Sequence, residues 1–142
     1  MVDISGKTET SRRAVASSFV KMNSDTLTAI RDEKVPKGDV FAAARIAGIL
    51  GAKRVAELIP LCHPLNINFC EITFEMKESG ISVRSEVKVR GTTGAEMEAM
   101  TAVSIAALTV YDMCKSMDKG IVIADTMLLE KDGGKSGSFR RE

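Results

Sequence analysis

The sequence predicts an α+β sandwich of the ferredoxin-like type, in which helices pack on one face of a four-stranded antiparallel sheet. The first indication is the order of predicted elements along the 142 residues: strand, helix, helix, strand, strand, helix, strand. The second is the period of two over residues 81–90, which is typical of a half-buried strand. The third is a helix over residues 95–117 that carries apolar side chains all round and must be largely buried. Two hairpin-like halves with helices on one side produce this architecture.

The first half of the chain supplies one strand and two helices. Residues 14–22 favour a strand that carries Val and Phe side chains. A serine opens the short helix predicted over residues 24–30, where its hydroxyl is a good N-cap. Asp39 can cap a second helix over residues 40 to about 58, whose apolar side chains form one stripe. Pro60 then ends that helix.

The second half supplies a hairpin, the long helix and a last strand. Residues 66–77 and 81–90 are predicted strands, and the turn Ser79-Gly80 joins them into a hairpin. The helix over residues 95–117 follows. Residues 121–130 form the last predicted strand, and its two apolar runs leave room for a bulge between them.

These elements predict one domain over residues 1–142, with residues 1–10 and 131–142 mobile when no ligand is bound. One face of such a sheet is bare in a monomer and is commonly covered by a second copy. The helix over residues 95–117 also demands more burial than one small domain offers. We therefore expect a homo-oligomer.

Composition excludes several classes of function. The net charge of +1 provides no global field that would attract nucleic acid, and five Phe, one Tyr and no Trp are too few for a stacking platform. The N-terminus is polar and no apolar run approaches the ~18 residues of a membrane span, so we expect neither a signal peptide nor membrane insertion. Cys62, Cys70 and Cys114 contain no Cys-x-x-Cys pair, which predicts free thiols in a reducing cytoplasm and no zinc site.

The pentapeptide Leu61-Cys62-His63-Pro64-Leu65 holds the only histidine. His63 is the one side chain whose unperturbed pKa lies near neutrality, so it is a candidate for proton transfer at pH 7. It stands beside a thiol and between prolines. The alternative is an ordinary packed or surface histidine.

The apolar long helix carries charged residues at Glu98, Asp112 and Lys115. At 100° per residue, Glu98 and Lys115 fall about 40° and about 60° to either side of Asp112, so all three share one stripe. Asp112 and Lys115 are spaced for an (i, i+3) ion pair, and their apolar neighbours favour a buried functional pair over a solvated one. Glu98 and Asp112 lie about 21 Å apart along the axis. They serve opposite ends of a large substrate, or one of them comes from a neighbouring subunit.

Two glycine-containing segments are candidate anion sites. The tail Gly133-Gly134-Lys135-Ser136-Gly137 resembles the end of a phosphate-binding loop, but the first glycine of that signature is absent and no room remains for the following helix. Lys131 and Lys135 could still wrap a polyphosphate, or this is a frayed basic tail. Lys37 stands at the start of a helix, which is either an anion site or a plain capped loop.

Several motifs in register make the whole chain resemble the cyclic pyranopterin monophosphate synthase family, the MoaC proteins of molybdenum cofactor biosynthesis. The segments that carry the resemblance are Asp3-Ile4-Ser5, Lys37-Gly38-Asp39-Val40, Ala44-Arg45-Ile46-Ala47-Gly48, Ile59-Pro60-Leu61-Cys62-His63-Pro64-Leu65, Thr93-Gly94-Ala95-Glu96-Met97-Glu98-Ala99, Ala106-Ala107-Leu108-Thr109-Val110-Tyr111-Asp112-Met113-Cys114-Lys115 and Gly133-Gly134-Lys135-Ser136-Gly137.

The resemblance implies a lyase-type enzyme. Its substrate would be the purine-derived triphosphate 3′,8-cyclo-7,8-dihydro-GTP, and its products would be cyclic pyranopterin monophosphate and pyrophosphate. It also implies a ferredoxin-like fold and a hexamer built as a trimer of dimers, with the active site at a subunit interface.

Position by position, the resemblance implies roles for ten residues. Asp112 matches the catalytic aspartate, and Lys115 is its partner in acid–base work. The matching substrate-binding residues are Leu61, Cys62, His63, Met97 and Glu98, with the basic residues Lys37, Lys131 and Lys135 near the substrate. The sequence requires no cofactor and indicates no protein-held metal, although Mg²⁺ can accompany the triphosphate.

Two other classes of protein compete with the enzyme. One is a non-catalytic oligomeric module that binds a nucleotide, which needs a pocket but no reactive acid–base pair. The other is an interaction subunit whose bare sheet docks a partner enzyme and which has no affinity for polyphosphates.

Overall fold

The computed structural model describes residues 1–142 and contains five strands and four helices. The strands are β1 (Thr10–Lys21), β2 (Ile67–Lys77), β3 (Gly80–Gly91), β4 (Val122–Asp132) and β5 (Phe139–Arg140). The helices are α1 (Ser24–Arg31), α2 (Val40–Lys53), α3 (Val55–Leu58) and α4 (Glu96–Cys114).

All five strands form one antiparallel sheet in the order β2-β3-β1-β4-β5, with the helices on one side. The predicted α+β sandwich is confirmed at this level, but the count of four strands is wrong. The extra strand, β5, pairs Phe139 with Lys131 and Arg140 with Glu130. Two residues are too few to show any periodicity, and the glycine-rich segment before them conceals the reversal of the chain. Gly133, Gly134 and Gly137 all have positive φ in that segment.

The core lies between the sheet and the two long helices. It contains 25 buried apolar residues, drawn from alternate positions of β1 and β3 and from the inner sides of α2 and α4. Gly48 and Gly51 let α2 approach α4 closely. A Cβ at Gly48 would lie 2.8 Å from the carbonyl oxygen of Ala102, and a Cβ at Gly51 would lie 2.8 Å from Ile105. This close contact holds the second half of α2 against the middle of α4.

The predicted second helix is broken in the structure. α2 ends at Lys53, and Arg54 has φ −116° and donates its N–H to the carbonyl of Gly51, only three residues back. A glycine in the last turn has poor helix propensity, which accounts for the early end. The short α3 then stops at Leu58, because Ile59 before Pro60 is extended.

The other predicted elements are confirmed with shifted limits: α4 ends at Cys114, three residues early, and the N-cap of α1 is Asn23 instead of Ser24. β1 begins at Thr10, four residues earlier than predicted. Its first residues are polar, but they pair with the end of β3, starting with Thr10 opposite Gly91. β4 is one bulged strand, with register shifts against β1 and a positive φ at Asp125. The predicted mobility of the two ends of the chain stays a prediction.

The sheet face away from the helices is charged. We call it the charged face; its members are Arg13, Arg84, Glu86, Lys88, Glu130, Asp132 and Arg140. Val15 on this side is fully buried yet lies outside the core cluster, so the aliphatic parts of these long side chains cover it. The exposed apolar side chains include Ile46 and Leu50 of α2 and Leu108 of α4. The helices therefore offer apolar surface to a second copy in addition to the sheet that the sequence favoured, where Phe69 and Val122 are exposed.

α4 is long and apolar enough to cross a membrane by length and composition alone, a property that we did not expect from the sequence. Nine of its nineteen residues are buried within the folded chain. The apolar character of α4 is therefore explained by its packing in the core of the folded chain.

Candidate functional site

Three charged side chains meet where α2 begins and α4 ends. Lys115 Nζ lies 2.8 Å from Asp112 Oδ1, and Lys37 Nζ lies 2.7 Å from Asp112 Oδ2. Asp112 occupies the last turn of α4, and Lys37 occupies the loop that leads into α2. That loop is fixed because the Asp39 side chain caps α2 by accepting from the N–H of Ala42. We call Lys37, Asp112 and Lys115 the acid–base cluster.

The electrostatics of this cluster favour the charged forms. Hydrogen bonds from Lys115 and then Lys37 lower the pKa of Asp112 to about 2, and the hydrogen bond to Asp112 raises the pKa of Lys115. The two side chains are 51% and 54% exposed, so the expectation of a buried pair is wrong for a single chain. The pair can donate a proton from Lys115, but this lysine becomes a base only where its surroundings exclude water.

A second group of predicted residues meets at the opposite end of α4. A cleft of about 330 Å³ is bordered by the turn after α3 and the first turn of α4. We call it the His63 cleft. It is lined by Leu61, Cys62, His63, Met97 and Glu98, together with Val2, Ile4 and Lys7 from the N-terminus. All five predicted substrate-binding residues of the two motifs are thus brought together.

Two carboxyl groups of the cleft differ sharply in environment. Glu98 is only 3% exposed, and burial, with a smaller effect of Glu96, raises its pKa. At the mouth, hydrogen bonds from Ser5 lower the pKa of Asp3, and the charge of His63 lowers it further. The cleft therefore holds an acid that keeps its proton more readily than usual, close to an imidazole and a thiol.

A polar cavity of about 220 Å³ continues from this cleft to the end of β4. Lys131 Nζ donates there to Glu96 Oε1 at 2.8 Å and to Ser136 Oγ at 3.1 Å. Burial acts to raise the pKa of Glu96, but the hydrogen bond from Lys131 and a backbone hydrogen bond outweigh it, and the pKa is lowered. Lys131 is therefore held beside the cleft by two side-chain hydrogen bonds.

Lys135 lies further along the same groove. A third cavity, of about 620 Å³, is bordered by Lys7, Arg12, Gly134, Lys135 and Ser136, and no hydrophobic residue lines it. Gly133 and Gly134, with φ of +91° and +81°, let the tail lie against β1, where a side chain on either would collide with Ser11 or Arg12. A strand follows this loop, not a helix, which agrees with the rejection of a Walker-type site.

Sequence reasoning missed three polar residues of this groove: Lys7, Arg12 and Glu96. Lys7 stands in a segment predicted to be mobile, and Arg12 precedes the predicted start of β1. Glu96 offered a usable signal, because an acidic residue in the first turn of an apolar helix is favourable to the helix dipole and directly precedes Met97 and Glu98.

One chain does not unite all ten predicted residues. Lys37, Asp112 and Lys115 lie at one end of α4, and the other seven lie at or beyond its opposite end. The separation of Glu98 and Asp112 along the helix is about 21 Å, as predicted from the rise per residue. No three His, Cys, Asp or Glu side chains are arranged in the chain to hold a metal ion.

Comparison with known proteins gives one consistent result. The model of the MoaC family matches residues 1–134, so Lys135 lies just outside that match. Proteins named cyclic pyranopterin monophosphate synthase are similar over the whole chain. That of Peptoclostridium acidaminophilum is 52% identical over 142 residues, and 90% of its length is covered. Those of Listeria monocytogenes serovar 1/2a and Heliobacterium modesticaldum are each 54% identical, with 89% and 91% of their lengths covered.

Proposed function

The chain belongs to the MoaC family, and we propose that it is a cyclic pyranopterin monophosphate synthase, a lyase-type enzyme of molybdenum cofactor biosynthesis. The observation that carries this proposal is identity of more than half over the entire chain with relatives of that name. The acid–base cluster and the basic groove beside the His63 cleft support it, because a binding module would need only the groove.

The proposed substrate is 3′,8-cyclo-7,8-dihydro-GTP, and the proposed products are cyclic pyranopterin monophosphate and pyrophosphate. The reaction rearranges a purine-derived ring to a pterin, which needs several proton transfers. It also closes a cyclic phosphate and expels pyrophosphate, which needs cations on the developing negative charge. Both requirements have candidate groups in this chain.

We assign proton transfer to Lys115 together with Asp112. Asp112 orients the Lys115 ammonium at 2.8 Å and keeps it charged, so that the lysine can give its proton to the rearranging ring. Lys37 forms an ion pair with the other carboxylate oxygen of Asp112. We assign it to contact a substrate phosphate or to keep the pKa of Asp112 low.

We assign substrate binding to the other end of α4. The ring system would lie in the His63 cleft, between the apolar side chains of Leu61 and Met97 and the polar groups of Cys62, His63 and Glu98. The triphosphate would follow the groove from Lys131 to Lys135, where Lys7 and Arg12 add positive charge.

The distance between these two ends leads to a composite site. Asp112 lies about 21 Å from Glu98 along α4 and Lys115 lies beyond it, so a substrate in the His63 cleft cannot reach the acid–base cluster of its own chain. We therefore propose a homo-oligomer, a hexamer built as a trimer of dimers, in which the acid–base cluster of one copy faces the cleft of another. Burial at that interface would remove water and lower the pKa of Lys115.

The remaining assignments are coarser. The β-α-β-β-α-β order and the central strand order β2-β3-β1-β4 support a ferredoxin-like class extended by β5. Three free cysteines support a reducing compartment such as the cytoplasm. We propose no protein-bound cofactor, and Mg²⁺ only as a companion of the triphosphate.

The test is turnover of the synthetic substrate by the purified protein. We expect pyrophosphate and the pterin, read as its fluorescent oxidation product, to appear in equal amounts. An Asp112→Asn variant should lower kcat by at least about a hundredfold while it still binds the substrate, because a positioned acid–base group contributes about that much. Binding without turnover by the wild-type chain would favour a nucleotide-binding module, and absence of binding would contradict the proposal.

A further inference from the structure

Arg13 is the centre of the charged face. Its Nε lies 2.8 Å from Glu86 Oε1 on β3, and its Nη1 lies 2.7 Å from Glu130 Oε2 on β4. The same Nη1 lies 3.3 Å from Asp132 Oδ2. Charge-assisted hydrogen bonds of a guanidinium to carboxylates are directional and comparatively strong. Arg13 therefore joins three strands at the end of the sheet that borders the basic groove.

The two β4 carboxylates held by Arg13 are the immediate neighbours of Lys131. Successive side chains of a strand point to opposite faces, so holding Glu130 and Asp132 on the charged face directs Lys131 to the helix face. There Lys131 lies opposite Ala14, which is fully buried, and reaches Glu96 at 2.8 Å. The direction of the lysine is thus fixed from behind the sheet.

The register of β4 needs such a restraint at this point. Val15 pairs with Glu130, but the next residue, Ala16, pairs with Leu128, so Leu129 is left over as a bulge. A slip by one residue would exchange the faces of all side chains beyond the bulge and turn Lys131 away from the groove. The Arg13 contacts oppose that slip because they require residues 130 and 132 on the same face.

We propose that Arg13 is a positioning residue for the reaction and acts through Lys131, which it aims at the triphosphate. This inference rests on the proposed function, since it takes the triphosphate as the group that Lys131 contacts. A merely structural arginine would stabilise the sheet without any special dependence on Lys131.

A double-mutant cycle separates these two roles. We expect Arg13→Gln to raise KM by about tenfold with a smaller change in kcat, as for a modest misplacement of a binding group. In a Lys131→Ala background the same substitution should have no further effect. Arg84→Gln is the matched control, because Arg84 lies on the same face and contacts Glu86 at 3.7 Å but makes no hydrogen bond to β4. It should leave KM unchanged.

Equal losses of kcat/KM from Arg13→Gln in both backgrounds, or no loss in either, would overturn the proposal. If Arg13→Gln does not fold, Glu130→Ala replaces it in the cycle, since it removes the shortest β4 contact of Arg13.

A readout without turnover is the rate at which Lys131 is acetylated by a small amine-reactive ester, followed by mass spectrometry. Arg13→Gln should make this rate several-fold faster and Arg84→Gln should not, because Arg13, unlike Arg84, holds the two neighbours of this lysine on β4. An unchanged rate would overturn the restraint itself. If Arg13→Gln is acetylated faster but the wild-type protein shows no turnover, the restraint on Lys131 stands. The missing turnover would overturn the proposed function and with it the role of Arg13 in the reaction.

Discussion

At the scale of single residues, Asp112 determines the chemical state of the acid–base cluster. It accepts from two ammonium groups, at 2.7 and 2.8 Å, and all three side chains are substantially exposed in one chain. In that state Lys115 is an acid and cannot serve as a base. A second copy or a bound substrate that excludes water would weaken its hold on the proton. Catalysis at Lys115 is therefore expected to depend on assembly.

The titration of Asp112 tests this arrangement directly. Its pKa is lowered from 3.8 to about 2, first by Lys115 and then by Lys37. A lowered carboxyl pKa stabilises the fold above pH 3.8, and that contribution is lost as the pH falls from 3.8 towards about 2. We expect the NMR titration midpoint of the Asp112 carboxyl carbon to move up towards 3.8 in Lys115→Met and further in the double variant with Lys37→Met.

Lys119→Met is the control for this titration, since Lys119 has no contact with Asp112 among the ion pairs of the chain. It should leave the midpoint where it is in the wild-type protein. A midpoint near 3.8 in the wild-type chain would mean that the cluster does not form in solution.

At the scale of elements, strong periodicity predicted the strands and helices that show it, but it did not predict how those elements pack against one another. The strand over residues 81–90 and the long helix were evident because their side chains repeat at 2.0 and 3.6 residues. The Asp112–Lys115 pair followed from the same geometry. The place of Lys37 did not, because it depends on how closely α2 approaches α4. β5 was missed for a related reason, since it pairs with β4 only after three left-handed glycines have reversed the chain.

Gly48→Ala tests the coupling between helix packing and the acid–base cluster. The new Cβ would lie 2.8 Å from the carbonyl oxygen of Ala102, and a helix backbone cannot yield as a flexible side chain can. We expect a loss of about 1–3 kcal/mol in the free energy of unfolding, as for other overpacked cores. The separation of the helices should also weaken the Lys37–Asp112 pair. Chemical denaturation measures the first effect and the Asp112 titration the second.

Gly6→Ala is the matched control for stability, because a Cβ there meets nothing within 4 Å. Its free energy of unfolding should stay within about 0.5 kcal/mol of the wild-type value. Equal stability of Gly48→Ala and Gly6→Ala would show that α2 and α4 are not in close contact at Gly48.

At the scale of the whole molecule, the proposed function gives the two ends of α4 complementary roles in one reaction. The N-terminal end, with the His63 cleft and a basic groove shaped by the glycine-rich tail, is proposed to bind the substrate. The C-terminal end, with the acid–base cluster, is proposed to transfer protons. Because a rigid helix holds the two about 21 Å apart, neither half completes a site within its own chain. An oligomer resolves this separation without any movement of the fold.

The most direct measurement is the activity of mixed oligomers made from two inactive chains. One chain carries Asp112→Asn and the other Glu98→Gln, and the two are coexpressed with different tags and purified through both. If each site combines two copies, a mixed dimer holds one intact site of two. Random pairing makes about half of the dimers in a mixed hexamer mixed, so the purified oligomers should recover about a quarter of the wild-type turnover. Mixed oligomers that assemble but stay as inactive as either parent, beside an active wild-type enzyme, would contradict the composite site.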